Sequence, residues 1–225
     1  MSKNKQVLKV DVHVHSSFSR CSGNSLEILK KVLLNENLLI ALTDHNRLTL
    51  LPNTIPGEEI KTLQGEVVAL YIQEQIPPWK SLEETVDLIR SQGGISVLAH
   101  PLDYTRPNSA RVLKGMIELV DYVEINGRCL NFLQDKAFLL SKNFKKRFVL
   151  GSDSHFSWEL GKHYMIFRGV DKTELINNPK LFRKEVERVN LRKDFVLNRN
   201  ETMKLFSQIC SGFLSRARLI KSLLG

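Results

Sequence analysis

The chain has 225 residues, 42% hydrophobic and 25% charged, ordinary globular values that leave room for one large core. No apolar run approaches the roughly 18 residues of a membrane span, and Met1 to Gln6 lack the apolar core of a signal peptide, so a cytoplasmic protein with no membrane partner is expected. The +9 charge would draw in phosphate esters or nucleic acid without choosing between them, and three cysteines at 21, 129 and 210 do not make a disulfide framework.

In chain order, the first element is a strand. Apolar residues at 8, 10, 12 and 14 alternate with polar ones at 9, 11, 13 and 15, the period of a half-buried strand. His13 and His15 therefore share a face, just before the turn-like Ser16-Ser17-Phe18-Ser19. Asn24 and Glu27 read as a capping box for a helix of about ten residues. The strand Leu38 to Thr43 follows and runs into Asp44-His45-Asn46, a β-α-β pattern that makes the first two strands parallel.

Prolines and a glycine break any helix from Leu51 to Gly57. Glu58-Glu59-Ile60-Lys61-Thr62 comes next, then a strand from Glu66 to Ile72. Ser81 to Glu84 form a second capping box, with a helix ending at Gly93-Gly94. The order then repeats: strand 95–99 before His100, helix about 108–119, strand 121–125, helix about 131–143, strand 147–151 before Asp153 and His155, and strand about 163–167. This alternation predicts a mostly parallel sheet closed or nearly closed into a barrel, with an open doubly wound sheet as the alternative. Residues 201–225 form an amphipathic basic helix through Met203, Phe206, Ile209, Phe213 and Arg216, expected to pack on the barrel rather than on a partner or membrane.

Five of the six histidines sit in strand-end settings. Only His163 lacks one, and it reads as a surface or ordinary packing residue. The strand ends supply His13, His15, His45, Glu59, Glu66, His100, Asp153 and His155. One ion needs only three or four protein ligands, so this set suggests two or three divalent ions with a bridging carboxylate. Imidazole with carboxylate suits Zn, Mn or Fe. Two ions roughly 3.5–4 Å apart can bind a phosphoryl oxygen, generate hydroxide and stabilise a leaving oxygen, which points to phosphate ester hydrolysis.

Taken together, His13-Val-His15, Thr43-Asp44-His45-Asn46, Gly57-Glu58-Glu59-Ile60, Ala99-His100-Pro101 with Asp103 and Arg106, Glu124-Ile-Asn-Gly-Arg128 and Gly151-Ser-Asp-Ser-His155 resemble the PHP (polymerase and histidinol phosphatase) superfamily, in its stand-alone metal-dependent phosphoesterase branch. The resemblance runs from residue 10 to about 167. It implies a distorted (β/α)7 TIM-like barrel with a trinuclear site at the C-terminal ends of the strands. The whole chain would be one domain, with a core at about 8–170 and a helical extension at about 171–225.

Carried over by position, His13, His15, Glu59 and Asp153 would hold a first metal, and Glu59 would bridge to a second held by Glu66 and His100. His45 and His155 would hold a third. Cys21 stands where the family often has Asp or His; its thiolate would bind zinc, or the third site would be weak or empty with Arg20 drawn toward phosphate instead, and a buried inert thiol is the other reading of Cys21. Glu66 stands where many members have His, and its carboxylate is a competent ligand or a solvated strand start. Glu59, Asp153 and Arg106 are the catalytic candidates, and Arg106 and Arg128 would fork a phosphate or make surface ion pairs. Asp11 and Asp44 would orient imidazoles, unless Asp44 caps a turn. The basic run Lys142 to Arg147 reads as a solvated helix end or an approach for nucleic acid.

The resulting expectation is a phosphoric ester hydrolase using metal-bound hydroxide on a phosphomonoester or a nucleotide phosphate. The alternatives are an exonuclease on nucleic acid ends, against which no aromatic-interleaved basic groove is seen, and a non-catalytic metal-binding module.

Overall fold

Two-sided burial shapes the first strand, β1 (Val7–Val14), in which every residue from Val10 onward is buried. Leu8, Val10 and Val12 enter the main core, while Asp11 and His13 occupy the other face. The computed structural model describes residues 7–103 and 114–224. After β1 come α1 (Leu26–Leu33), β2 (Leu38–Leu42), β3 (Ile55–Lys61), β4 (Glu66–Leu70), α2 (Leu82–Ser91), β5 (Ile95–Leu98), α3 (Lys114–Leu119), β6 (Tyr122–Asn126), α4 (Asn131–Asn143) and β7 (Phe148–Gly151). The chain continues through β8 (Tyr164–Arg168), α5 (Lys172–Ile176), α6 (Pro179–Arg192), β9 (Phe195–Val196) and α7 (Glu201–Leu224). The expected helix at about 108–119 falls partly outside the described residues, as does Arg106.

The nine strands form one sheet in the order β7-β6-β5-β4-β3-β2-β1-β8-β9. The first two strands are parallel, as expected, and so are β2–β3, β5–β6 and β6–β7. The lower half of β1 pairs antiparallel with β8. Its upper end reaches the chain after β7, where Asp153 N donates to His13 O (2.7 Å) and His15 N to Ser154 O (2.9 Å). The sheet thus closes into a barrel at the rim that carries the histidines. Phe182 of α6 packs against Tyr71, Tyr122 and Phe167 inside the barrel core.

The distortion lies at β3 and β4. A turn at Thr62–Gly65 joins them directly (Thr62 N to Gly65 O, 2.7 Å), so β4 runs antiparallel to β3 and also to β5. The prolines and glycine from Leu51 to Gly57 break a helix in the sequence pattern, and no strand is expected there. Pro56 is tolerated because only Ala41 and Leu42 of β2 pair with this end of β3. Gly57 is required because a Cβ would lie 2.6 Å from Ala69 O. The capping box at Ser81–Glu84 is present. The one expected at Asn24 is not: Ser25 caps α1 by accepting from Ile28 N, while Asn24 turns inward and donates to His15 O (3.1 Å).

The last helix, α7, packs on the barrel, but by its polar stripe. Lys204, Ser207 and Ser211 are buried, whereas Phe206, Ile209 and Phe213 are 52%, 66% and 78% exposed. No helix among the described residues is long and apolar enough to cross a membrane.

Candidate metal centre

Six separate segments bring side chains to the closed rim. His13 and His15 come from the end of β1, His45 follows β2, Glu59 lies in β3, His100 follows β5, and Asp153 and His155 follow β7. Because β4 runs antiparallel, its first residue, Glu66, is the one at this rim. All nine ligand-type residues read from the sequence are here; Arg106 lies outside the described residues.

Glu59 is the centre of the cluster. Its Oε1 lies 2.8 Å from His100 Nε2. Its Oε2 lies 2.6 Å from His45 Nδ1, 3.3 Å from His15 Nε2 and 3.5 Å from His13 Nε2. His13 Nε2 and His15 Nε2 are 3.0 Å apart, and Asp153 Oδ1 is 3.1 Å from His15 Nε2 and 3.7 Å from His13 Nε2. Glu66 Oε2 approaches His100 Nε2 at 3.3 Å, and Cys21 Sγ lies 3.3 Å from His45 Nε2 and 3.1 Å from His155 Nε2.

This packing fits an absent cation. Glu59 Oε2 is fully buried amid three imidazoles with none in hydrogen-bond geometry, although His45 Nδ1 approaches to 2.6 Å, an arrangement that a metal ion between the carboxylate and the rings would satisfy. Nitrogen and oxygen ligands held about 2.0–2.2 Å from one ion lie about 3.0–3.6 Å from each other at right or tetrahedral angles, close to the spacings found here. Three overlapping sets emerge: His13, His15 and Asp153; His45, Glu59 and Glu66; His15, His45 and His155.

A supporting layer orients these ligands. Glu124 Oε1 takes the Nδ1 side of His13 (2.8 Å), and its Oε2 accepts from His100 N (2.6 Å) and Asn126 Nδ2 (3.1 Å). A carboxylate behind the imidazole fixes the tautomer that presents Nε2 to an ion. Ser19 Oγ stands 3.1 Å from His15 Nδ1 and donates to Asp44 Oδ1 (2.7 Å), so Asp44 orients His15 through Ser19. It also accepts from Ser16 N (2.8 Å), which is turn capping, so both readings of Asp44 hold. Asp11 acts otherwise than expected: it accepts from His13 N (3.2 Å) and Ser152 N (2.8 Å), tying β1 to the β7 turn rather than holding a ring. His100 (φ 27°) and Asp153 (φ 54°) take left-handed backbone conformations, strain of the sort stored at functional sites.

The electrostatics are those of opposed charges out of water. Burial alone would push His13 down, but the carboxylates of Glu124, Glu59 and Asp153 hold it well above the usual imidazole range. Burial and then the positive Arg128 hold His155 well below that range. Burial, with His45 beside it, takes His15 down to about 4. Burial opposes ionisation of Glu59 too, but His13 and His45 prevail and keep it ionised.

Two arginine and histidine expectations change. Arg128 is buried, with Nη1 2.8 Å from His155 Nδ1, Nη2 donating to Ser211 Oγ (2.9 Å) and Nε 3.3 Å from Glu159 Oε1. It therefore makes neither a surface ion pair nor a free phosphate fork, because α7 and Glu159 enclose it. His163 is fully buried, its Nε2 on Ile125 O (2.7 Å) and its Nδ1 accepting from Asn198 N (3.0 Å), which is the packing role and not the surface one. Sequence reasoning gave no role to Glu124, Ser19, Asn126 or Glu159. Only Glu124, a lone acid within the buried run Tyr122 to Asn126, carried a signal.

Fold and site together define a barrel with clusters of side chains at one rim that could hold metal ions. Residues 134–178 match the family model described as PHP-associated. The chain is 40% identical over 167 residues to the uncharacterised protein MJ0417 of Methanocaldococcus jannaschii, covering 71% of this chain and 70% of that one. Among solved structures it resembles PsfC from Pseudomonas syringae (TM-score 0.63, 15% identity, 93% of this chain and 99% of that chain). It also resembles a two-domain protein of Bacteroides vulgatus named as containing a predicted PHP-like metal-dependent phosphoesterase (TM-score 0.59, 14% identity, 86% and 65%). The chain belongs to the PHP superfamily.

Proposed function

We propose that the protein hydrolyses a phosphomonoester or the phosphate of a nucleotide, using two or three divalent ions of the Zn, Mn or Fe class. The observation that carries this reading is Glu59, a buried carboxylate with one oxygen toward His100 and the other among His13, His15 and His45, the placement of a ligand shared by two ions. When bound, such ions polarise a phosphoryl oxygen, activate a water and stabilise the leaving oxygen.

The chain's own residues supply the rest. Glu59 and Asp153 would hold the ions, and Glu124 and Ser19 fix the ring planes of His13 and His15. Arg128, occupied by Glu159 and Ser211, positions His155 and does not meet the substrate. That leaves Arg106 as the proposed partner of the phosphate, with the net charge of +9 favouring anion approach. Three free cysteines agree with a reducing, cytoplasmic setting.

The test is turnover by metal-quantified protein, with manganese and zinc in parallel, of an aryl phosphomonoester beside a 5′-phosphorylated oligonucleotide. Release of inorganic phosphate from the monoester is expected. Preferential nucleotide release would move the assignment to an exonuclease, and silence on both with metal bound would overturn the reading in favour of a binding module.

A further inference from the structure

Much of the positive charge of the chain sits in two short stretches: residues 142–147 and 180–193 together hold ten Lys or Arg against two Glu. The fold brings their ends together. Helix α4 stops at Asn143 and α6 at Arg192, beside Phe148 at the start of β7. The ligand-type residues Asp153 and His155 follow the other end of β7, so this meeting point lies at the end of the barrel opposite the metal rim. It encloses a cavity of about 590 Å³ lined by Lys142, Lys145, Lys146, Arg147 and Lys193, with the buried Phe148 and with Asn190. A volume of this size suits a small-molecule ligand.

The fold uses only some of these cations. Lys146 Nζ donates to the carbonyls of Glu118 (3.1 Å) and Val120 (2.7 Å) at the end of α3, and Arg147 forks the carboxylate of Glu187. Lys142 Nζ lies 4.6 Å from the centre of the Phe138 ring. Lys145 and Lys193 make no ion pair among the described residues, and the acids Glu185 and Asp194 are taken by Arg188 and Arg168. A helix C-terminus carries about half a negative charge, so α4 and α6 together offset about one of the three positive charges on Lys142, Lys145 and Lys193. An excess of about two remains. Lys145 (φ 52°), just after α4, and Lys193 (φ 59°), the cap of α6, both occupy the left-handed conformation in which glycine is the ordinary residue. The same unfavourable choice at two helix ends brings two lysines to one cavity where glycine would bring none. The wall is fixed by Asn190, which accepts from Phe148 N (3.1 Å) and donates to Phe148 O (2.9 Å), so little order remains to be imposed when a ligand binds.

We propose that this cavity binds the oligophosphate group of a small molecule, with Lys142, Lys145 and Lys193 as its cationic contacts. The site is separate from the metal centre and goes beyond the hydrolytic reading of the rim. Ammonium groups bind phosphate as point charges, and three of them around one cavity suit linked phosphates better than a single one. A bounded cavity also suits a compact anion better than an extended nucleic acid strand. The same chemistry is offered by inorganic triphosphate and by the triphosphate of a nucleotide.

The experiment is isothermal titration calorimetry of full-length, metal-stripped protein in EDTA, with sodium triphosphate, ATP and an unphosphorylated single-stranded oligonucleotide as probes. The wild type should bind triphosphate, more weakly as salt rises. The double variant Lys145→Gly/Lys193→Gly suits the left-handed backbone, so it should unfold thermally no earlier than the wild type, yet bind triphosphate at least about tenfold more weakly. Equal affinity for triphosphate and ATP, lost together in the variant, assigns the site to the phosphates alone; tighter binding of ATP, lost likewise, assigns it to a nucleotide. In a second arm, triphosphate should protect Lys145 and Lys193 of the wild type from acetylation by acetic anhydride, read by peptide mass spectrometry. No binding of triphosphate by the wild type, unchanged affinity in the variant, or unchanged acetylation of both lysines would overturn the proposal. Tighter binding of the oligonucleotide than of triphosphate, lost in the variant, would also overturn it, in favour of a nucleic acid surface.

Discussion

Along the rim of the barrel, Val12 and Val14 enter apolar cores while His13 and Asp153 meet one another around Glu59; along α7 the polarity is turned round. Lys204, Ser207 and Ser211 face inward, and Phe206, Ile209 and Phe213 face outward. The surface that α7 covers explains the inversion. Ser207 Oγ donates to Glu159, Ser211 meets Arg128, Gln208 Nε2 donates to Arg128 O (3.1 Å), and Lys204 Nζ donates to Cys129 O (2.8 Å) and Asn131 Oδ1 (2.9 Å). The turns around a metal centre are rich in polar groups that must be satisfied when covered, so the covering helix brings its polar stripe. The apolar stripe of an amphipathic helix marks a face without saying which face is buried.

The contrast breaks most sharply at Glu59. Glu59→Gln removes the charge that faces His100 on one side and His13, His15 and His45 on the other, and phosphoesterase turnover should fall by more than the roughly 10–100-fold typical of ligand-supporting residues; a steady-state assay at saturating manganese reads this. Glu124→Gln leaves every ligand in place but weakens the hold on His13 Nδ1. Metal affinity by competition with a chelator should drop about 10–100-fold, and unchanged affinity would deny Glu124 its orienting role.

How much of this was legible follows from how each group is held. The alternation in β1 and the ligand-type residues at strand ends are local patterns, and they point to the rim and to eight of its nine ligand-type residues; Cys21 came from the resemblance alone. Glu124 acts from β6 on the ring of His13 in β1 and on the backbone of His100 after β5, a relation that no local spacing encodes. The strand β3 was hidden by Pro56 and Gly57, tolerated there for tertiary reasons: a short pairing with β2 and a close approach to Ala69 O. The amphipathicity of α7 was legible, but its inward face depended on Arg128 and Glu159, whose mutual burial is a property of the assembled barrel.

Between rim and helix lies His163, joining Ile125 O of β6 to Asn198 N just before α7. Burial takes its pKa down to about 4 from an ordinary 6.5. The folded state therefore binds fewer protons than the unfolded chain between these values, and stability is lost as pH falls from 6.5 through 4. The contribution is about 3 kcal/mol at full titration. In urea unfolding, the stability advantage of wild type over His163→Gln should shrink between pH 7 and pH 4; a constant difference would deny that the ring is held neutral.

The helix itself gives the smaller effects. Ser207→Leu forces a larger side chain into a buried position beside Glu159 and should cost about 1–3 kcal/mol. Phe213→Ser, on the exposed stripe, should change monomer stability by no more than about 0.5 kcal/mol. If the order of these two variants in thermal unfolding were reversed, the inward face of α7 would be wrong.

The central claim is that the rim around Glu59 holds divalent ions through a shared carboxylate. Counting metal equivalents per chain by mass spectrometry after manganese or zinc loading and desalting tests it directly, in wild type and Glu59→Gln side by side. The account predicts at least two equivalents in the wild type and loss of more than one in the variant, since one oxygen of Glu59 faces His100 and the other lies among His13, His15 and His45. A wild type that retains no metal, or a variant that retains the full complement, would contradict it.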